Sequence, residues 1–163
     1  MKPETRTAVL SDLRASGTAS AANRRTVSGR AIVYGAMSLD LGGFRETFRP
    51  GSVRLVDDLR ILFGHDTSKV LGRTTAGTAR AFDDGKGIAF EVELPDTTYA
   101  RDLSALIERG DVTQCSFAFV CRDDTFYFND TYGTVVREVI DAEVSELSIV
   151  AMPAYEATTA TIT

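Results

Sequence analysis

Histidine is the scarcest of the chemically reactive residues in this chain. The 163 residues include one histidine, His65. A metal site built from several imidazoles is therefore excluded, and a zinc site made of His65 and two distant cysteines has no supporting motif. Any reaction that needs an imidazole as general base has to use His65.

Cysteine is almost as rare, with Cys115 and Cys121 as the only two. Both fall where the pattern is that of one strand, and a rise of about 3.3 Å per residue separates them by roughly 20 Å. A disulfide needs Cα atoms within about 7 Å of each other. The sequence therefore predicts two reduced, buried thiols.

The chain also lacks long apolar runs and clusters of positive charge. No run approaches the roughly 20 apolar residues of a membrane-spanning helix, and the start of the chain lacks the apolar core of a secretory signal. The 18 basic and 23 acidic residues give a net charge of −5, which argues against a broad phosphate-binding surface. We expect a protein that works inside the cell and binds neither membrane nor nucleic acid.

The composition, with 44% hydrophobic and 25% charged residues, is typical of one globular domain. Short segments with strand-like patterns follow one another, separated by turns rich in glycine, proline and aspartate. This order predicts a mainly β domain, barrel-like, with peripheral helices. Residues 1–25 are expected to add a strand and a loop to a main domain over 26–157, followed by a tail at 158–163.

Two helices are predicted. The stronger one covers residues 99–109, where apolar residues recur at i, i+3 and i+4 and Gly110 provides a C-terminal stop. A weaker one covers residues 52–59, because Ser52 follows a proline and a glycine and could cap a helix.

The last third of the chain is predicted to be strand-rich. Strands are expected over 113–120, around 126–128, over 134–140 and over 144–151. A charged turn near Asp123 and Asp124 is expected to separate the first strand from the aromatic one.

Side-chain alternation divides the strand over 113–120 into two faces. Cys115, Phe117 and Phe119 share an apolar face, so Ser116 points the other way. A small hydroxyl opposite a bulky core face has the character of an accessible nucleophile. The alternative is a serine bonded to a backbone carbonyl, and spacing alone favours that interpretation.

The same alternation gives Glu146 a face in common with Ser148, while Leu147 and Ile149 face the core. If Glu146 is buried it needs a partner. The alternative is a solvent-facing residue on an edge strand, which the sequence alone favours somewhat.

His65 follows an apolar strand ending in Phe63, and Gly64 allows the chain to turn there. A rigid strand would hold its base while the ring stays reachable. The alternative, a structural histidine, is equally compatible with the sequence. Asp66 is interpreted as a turn former.

Nucleophilic catalysis by a hydroxyl requires a neighbouring base and a third group that orients the base. Ser116, His65 and Glu146 supply these groups from three separate strand-like segments. Their pattern permits a serine hydrolase without showing that the side chains meet.

Taken in order, a series of segments resembles the prohead (procapsid) maturation protease family of tailed bacteriophages. The resemblance covers residues 27–157, and no single block decides it. The blocks are GRAIVYG (29–35), ETFRPGSV (46–53), LFGHD (62–66), LGR (71–73), KGI (86–88), IERG (107–110), CSFAF (115–119) and ELSIVAMPA (146–154).

The resemblance implies a β-barrel similar to that of the herpesvirus assembly proteases. It implies a serine endopeptidase with Ser116 as nucleophile, His65 as base and Glu146 as the carboxylate, Glu143 being the alternative carboxylate. Such an enzyme uses no metal or cofactor. It cuts the scaffold or the N-terminal segment of the major capsid protein, and itself, inside the assembling prohead in the cytoplasm of the bacterial host. A homodimer is expected by analogy with the herpesvirus enzymes.

Three other functions stay open on sequence grounds. The first is a non-catalytic capsid-assembly or scaffolding module on the same fold. The second is a cysteine hydrolase using Cys115, which the alternation argues against because that thiol faces the core. The third is a small β-barrel binding domain with no role in a phage.

Overall fold

The described part of the chain is mainly β. The computed structural model describes residues 3–9, 14–16 and 25–152. Its larger sheet curls into a half-barrel, which agrees with the mainly β fold predicted from the sequence. The strands are β1 (Glu4–Val9), β2 (Arg14–Ser16), β3 (Thr26–Val33), β4 (Phe44–Phe48), β5 (Val53–Phe63), β6 (Asp66–Arg73), β7 (Ala79–Asp83), β8 (Gly87–Glu93), β9 (Gln114–Asn129) and β10 (Thr134–Val150). The helix α1 spans Thr98–Arg109, and a 3-10 turn spans Thr74–Ala76.

The described strands form two sheets. One has the order β1-β9-β10-β5-β6, with β4 added to β10. The other has the order β2-β3-β8-β7. In the larger sheet β10 is central, because it pairs antiparallel with β9 and parallel with both β4 and β5. The strands that carry the predicted site residues are therefore direct neighbours.

A phenylalanine cluster occupies the interior of the half-barrel. The ring of Phe48 on β4 meets the rings of Phe117 and Phe119 on β9 at centroid distances of 5.4 and 5.2 Å, edge to face. Edge-to-face packing of buried rings adds to the free energy gained from burying their apolar area. The inner face of β9 is thereby fixed, and Ser116 must lie on the other face.

The helix over 99–109 is confirmed, starting one residue earlier at Thr98. Its buried residues are Ala100, Leu103, Ser104 and Ile107, the stripe expected of an amphipathic helix. Gly110 ends it in the left-handed conformation, with φ at 80°.

The helix predicted over 52–59 is wrong, because residues 53–59 belong to β5. Val53 to Leu55 pair in parallel with Ala142 to Val144 of β10. Ser52 donates its backbone N–H to Arg49, closing a turn before the strand. Pairing with a distant strand outweighs the local capping pattern here.

The predicted turn near Asp123 and Asp124 is also wrong, since β9 continues through both residues to Asn129. The carboxylate of Asp124 accepts a hydrogen bond of 2.6 Å from Arg137 on β10. A charge neutralised across the ladder is compatible with a strand. The pairing with β10 shifts register around Asp123, which marks a local irregularity instead of a turn.

Cys115 and Cys121 are free and buried, as predicted. The expected tail at 158–163 lies outside the described residues, as does most of the N-terminal loop.

Candidate active site

Three adjacent strands position the candidate side chains. Ser116 on β9 is directly opposite Ser148 on β10. On the other side of β10, Ser148 is opposite Leu62 of β5. The turn that follows β5 contains His65, and it therefore lies beside Ser116.

A two-residue hairpin turn holds His65. Phe63 pairs with Asp66, so Gly64 and His65 form the loop between β5 and β6, and their φ angles are 66° and 59°. Positive φ at both central residues is the type I′ pattern that matches the twist of the strands. Among the described residues, His65 is the only non-glycine residue with positive φ. Its backbone N–H donates to the Ser148 hydroxyl at 3.0 Å, which helps to maintain this conformation.

A β-bulge orients Glu146. Against β9, the register of β10 shifts between Val144 and Glu146, so that Ser145 is an extra residue in β10. The pairing with β5 is irregular at the same point, where residues 56–59 of β5 have no partner on β10 in register. Val144 therefore faces the core, whereas Glu146, two residues later, faces the opposite side. Bulges near functional sites commonly redirect a side chain in this way.

The side chains of Ser116, His65 and Glu146 meet in one chain of hydrogen bonds. His65 Nε2 lies 2.6 Å from Ser116 Oγ, and His65 Nδ1 lies 2.9 Å from Glu146 Oε2. The second oxygen of Glu146 accepts a short hydrogen bond from the Ser148 hydroxyl. Ser148 thus connects the carboxylate to the backbone of His65.

Ser116 is fully buried, in contrast to the accessible hydroxyl expected from its strand position. Its exposed fraction is 0%, and its hydroxyl also lies 2.7 Å from the backbone oxygen of Arg6 on β1. The two interpretations of Ser116, a base-activated hydroxyl and a hydroxyl bonded to a backbone carbonyl, are therefore both present in the geometry.

A family model described as caudovirus prohead serine protease matches residues 11–163. The chain belongs to the caudovirus prohead serine protease family. No curated protein and no solved structure is significantly similar to it. A prohead serine protease is a hydrolase of bacteriophage capsid maturation, so a binding domain unconnected with a phage is set aside.

The thiol next to Ser116 is poorly suited to act as a nucleophile. Cys115 is fully buried on the inner face of β9, as side-chain alternation predicts. Burial raises the pKa of the Cys115 thiol well above its ordinary value, and the negative charge of Glu146 raises it further. A thiol without appreciable thiolate is a weak nucleophile.

The other two acidic residues considered for the site have different partners. Glu143 forms an exposed ion pair with Arg122 at 3.1 Å. Asp66 accepts hydrogen bonds from the hydroxyl and backbone N–H of Ser68, and these, together with Lys69, lower its pKa to about 2. Its place at the end of the hairpin loop agrees with its interpretation as a turn former.

Sequence reasoning missed two contributors to this candidate site. Ser148 was noted for sharing a face with Glu146, but its bonds to both Glu146 and His65 depend on the turn. The contact of Arg6 had no sequence signal, because it involves a backbone oxygen.

The described residues contain no group of three or more His, Cys, Asp or Glu side chains placed to hold a metal ion. Within residues 3–9, 14–16 and 25–152, no helix has the length and apolarity needed to cross a bilayer.

Proposed function

We propose that this chain is a serine endopeptidase with Ser116 as nucleophile, His65 as general base and Glu146 as the carboxylate that orients the base. The observation that carries the proposal is the pair of contacts to one imidazole, 2.6 Å to Ser116 and 2.9 Å to Glu146. Both lie within the reach required of a nucleophile, base and orienting group.

The reaction follows from the proton positions. With Glu146 accepting the Nδ1 proton, the free lone pair of His65 is on Nε2, facing the Ser116 hydroxyl. Nε2 takes the hydroxyl proton as the oxygen bonds to the carbonyl carbon of a peptide. It then gives that proton to the departing amine as the C–N bond breaks. A water molecule, deprotonated by His65, hydrolyses the resulting ester and restores the serine.

Ser148 supports this arrangement without touching the reacting atoms. Its hydroxyl proton goes to Glu146, and its oxygen accepts the backbone N–H of His65. The carboxylate and the turn are thereby held together, which preserves the orientation of the ring.

The substrates we propose are the scaffold or the N-terminal segment of the phage major capsid protein, and the chain itself. Cleavage would take place inside the assembling prohead in the host cell. The proposed reaction uses only side chains and water.

Co-expression with the capsid protein encoded by the same phage tests the proposal. Intact mass should show a shortened capsid protein with the wild-type chain and the full-length protein with Ser116→Ala. Ser104→Ala is a matched control, because Ser104 is another buried serine, on α1, and should leave cleavage unchanged.

A non-catalytic assembly module on the same fold is the second candidate. The complete burial of Ser116 favours it, since a nucleophile must reach its substrate. Identical capsid masses with the wild-type chain and with Ser116→Ala would select this candidate over the peptidase.

A further inference from the structure

β1 lies along the edge of the strand that carries Ser116. It is the outermost strand of the larger sheet in the described part of the chain, and it pairs antiparallel with β9 from Gln114 to Phe119. The opposite edge of β9 is taken by β10. An extended peptide that adds a strand next to Ser116 must therefore use the edge that β1 occupies.

The backbone of β1 also competes for the proton of the nucleophile. The Ser116 hydroxyl has one proton, and the acceptors within its reach include His65 Nε2 at 2.6 Å and the Arg6 oxygen at 2.7 Å. A proton donated to Arg6 is not available to the base. With β1 in place the hydroxyl is both covered and partly engaged by a carbonyl.

The side chain of Arg6 enters a buried cluster of charges on the inner face of the sheet. Its guanidinium binds both oxygens of Glu46, at 2.8 and 3.3 Å, and lies 5.5 Å from the centre of the Phe119 ring. Glu46 has an exposed fraction of 0%. A buried carboxylate that accepts a forked pair of hydrogen bonds, next to an aromatic face, is built for a cation.

The strand β1 brings a positive and a negative side chain, those of Arg6 and Glu4, to this cluster. Arg137 binds Glu46 at 3.0 Å, Asp124 at 2.6 Å and Glu4 of β1 at 2.7 Å. Because Arg6 and Glu4 have opposite charges, removing β1 leaves the net charge of the cluster unchanged. The preference for a positive side chain rests on the position of Glu46, whose carboxylate is fully buried beside Arg6, whereas the side chain of Glu4 is partly exposed.

We propose that the edge of β9 beside Ser116 is a binding site for an extended peptide segment with a basic side chain, that Glu46 determines this preference, and that β1 fills the site in the free chain. This inference rests on the proposed peptidase function and names its substrate class. The basic residue is the one whose carbonyl lies against Ser116, in the place that Arg6 now takes.

Peptide binding tests the site independently of catalysis. The probe is a fluorescein-labelled peptide that copies residues 3–9 (PETRTAV), and the proteins are full-length chains carrying Ser116→Ala so that nothing is cleaved. Arg6→Glu places a second negative charge next to Glu46, and the repulsion should release β1. Because an occupied site lowers the apparent affinity for the peptide, this release should tighten peptide binding by about ten-fold or more. A peptide with glutamate in place of its arginine should bind at least about ten-fold more weakly.

Two further variants control the experiment. Arg54→Glu removes an exposed arginine that forms a forked pair with Asp141, and it should leave peptide binding unchanged. Arg6→Ala removes the attraction to Glu46 without adding a charge. Arg6→Ala should also tighten peptide binding, and it replaces Arg6→Glu in the test if circular dichroism shows that Arg6→Glu does not fold.

Reactivity of Ser116 separates this inference from the proposed function. In chains that retain Ser116, Arg6→Glu should speed its modification by a fluorophosphonate, measured by intact mass. Equal peptide binding by the Arg6 variants and by the chain that carries Ser116→Ala alone overturns the binding site, whether or not Ser116 reacts in the second experiment. Arginine-dependent binding without modification of Ser116 in any variant supports the site and overturns the peptidase.

Discussion

Replacing Glu146 by glutamine tests the hydrogen-bond network with almost no change in shape. The carboxylate has two oxygens, and each accepts a proton, one from His65 Nδ1 and one from the Ser148 hydroxyl. An amide has a single oxygen and a donating NH₂ group. Glutamine can therefore satisfy only one of the two donors in their present orientation.

Both orientations of the amide impair the base. If NH₂ faces His65, the ring must carry its proton on Nε2, where it cannot accept the proton of Ser116. If the oxygen faces His65, the NH₂ group meets the Ser148 hydroxyl, and the charge that stabilises the imidazolium is absent in either case. A neutral replacement of this kind lowers the rate by about 10³- to 10⁴-fold, which corresponds to roughly 4–5.5 kcal/mol.

The rate of modification of Ser116 by a fluorophosphonate, near neutral pH, measures this loss without knowledge of the substrate. Glu143→Gln is the matched control, because that carboxylate forms only an exposed ion pair and its loss should change the rate by about two-fold or less. A folded Glu146→Gln chain that reacts within about three-fold of the wild type would refute the reasoning, since the carboxylate would then do nothing for the base.

Three more outcomes are expected. Ser148→Ala should slow the same modification by about ten- to a hundred-fold, because it removes a hydrogen bond to the charged Glu146, and urea unfolding should show a loss of about 1–3 kcal/mol. The Cys115 thiol, with its raised pKa, should resist iodoacetamide in the folded chain and react in urea, as intact mass can show. A hydrogen bond from Arg137 lowers the pKa of Glu4, so this pair stabilises β1 above about pH 4 and is lost as the pH falls through the lowered pKa. Hydrogen exchange of the β1 amides, corrected for intrinsic rates, should therefore accelerate on acidification, and less so in Glu4→Gln.

Local patterns predicted the elements that depend on local physics. The helix α1 was identified from its apolar stripe and Gly110, both of which act within one or two turns. Alternation along β9 correctly separated Ser116 from Cys115, because the core-facing phenylalanines leave only one arrangement of that strand. Gly64 before His65 correctly indicated a turn.

Long-range pairing explains the elements that were missed. The pieces predicted over 134–140 and 144–151 are one strand, β10, because its partners on both sides stabilise it through the irregular region around Asp141. The bulge before Glu146 was invisible for the same reason. It exists only relative to the registers of β5 and β9, although it decides which face the carboxylate takes.

The strand β1 shows why closure of the site was beyond sequence analysis. Arg6 and Ser116 are 110 residues apart, and the group that covers the Ser116 hydroxyl is a backbone carbonyl, which every residue possesses. No side-chain pattern can mark such a contact. The side chain of Arg6 acts indirectly, since its pairing with Glu46 holds the strand in register and the register puts the carbonyl against the hydroxyl. Changing Thr5, which is exposed on the same strand, should therefore affect the site far less than changing Arg6, although the two residues are neighbours in the sequence.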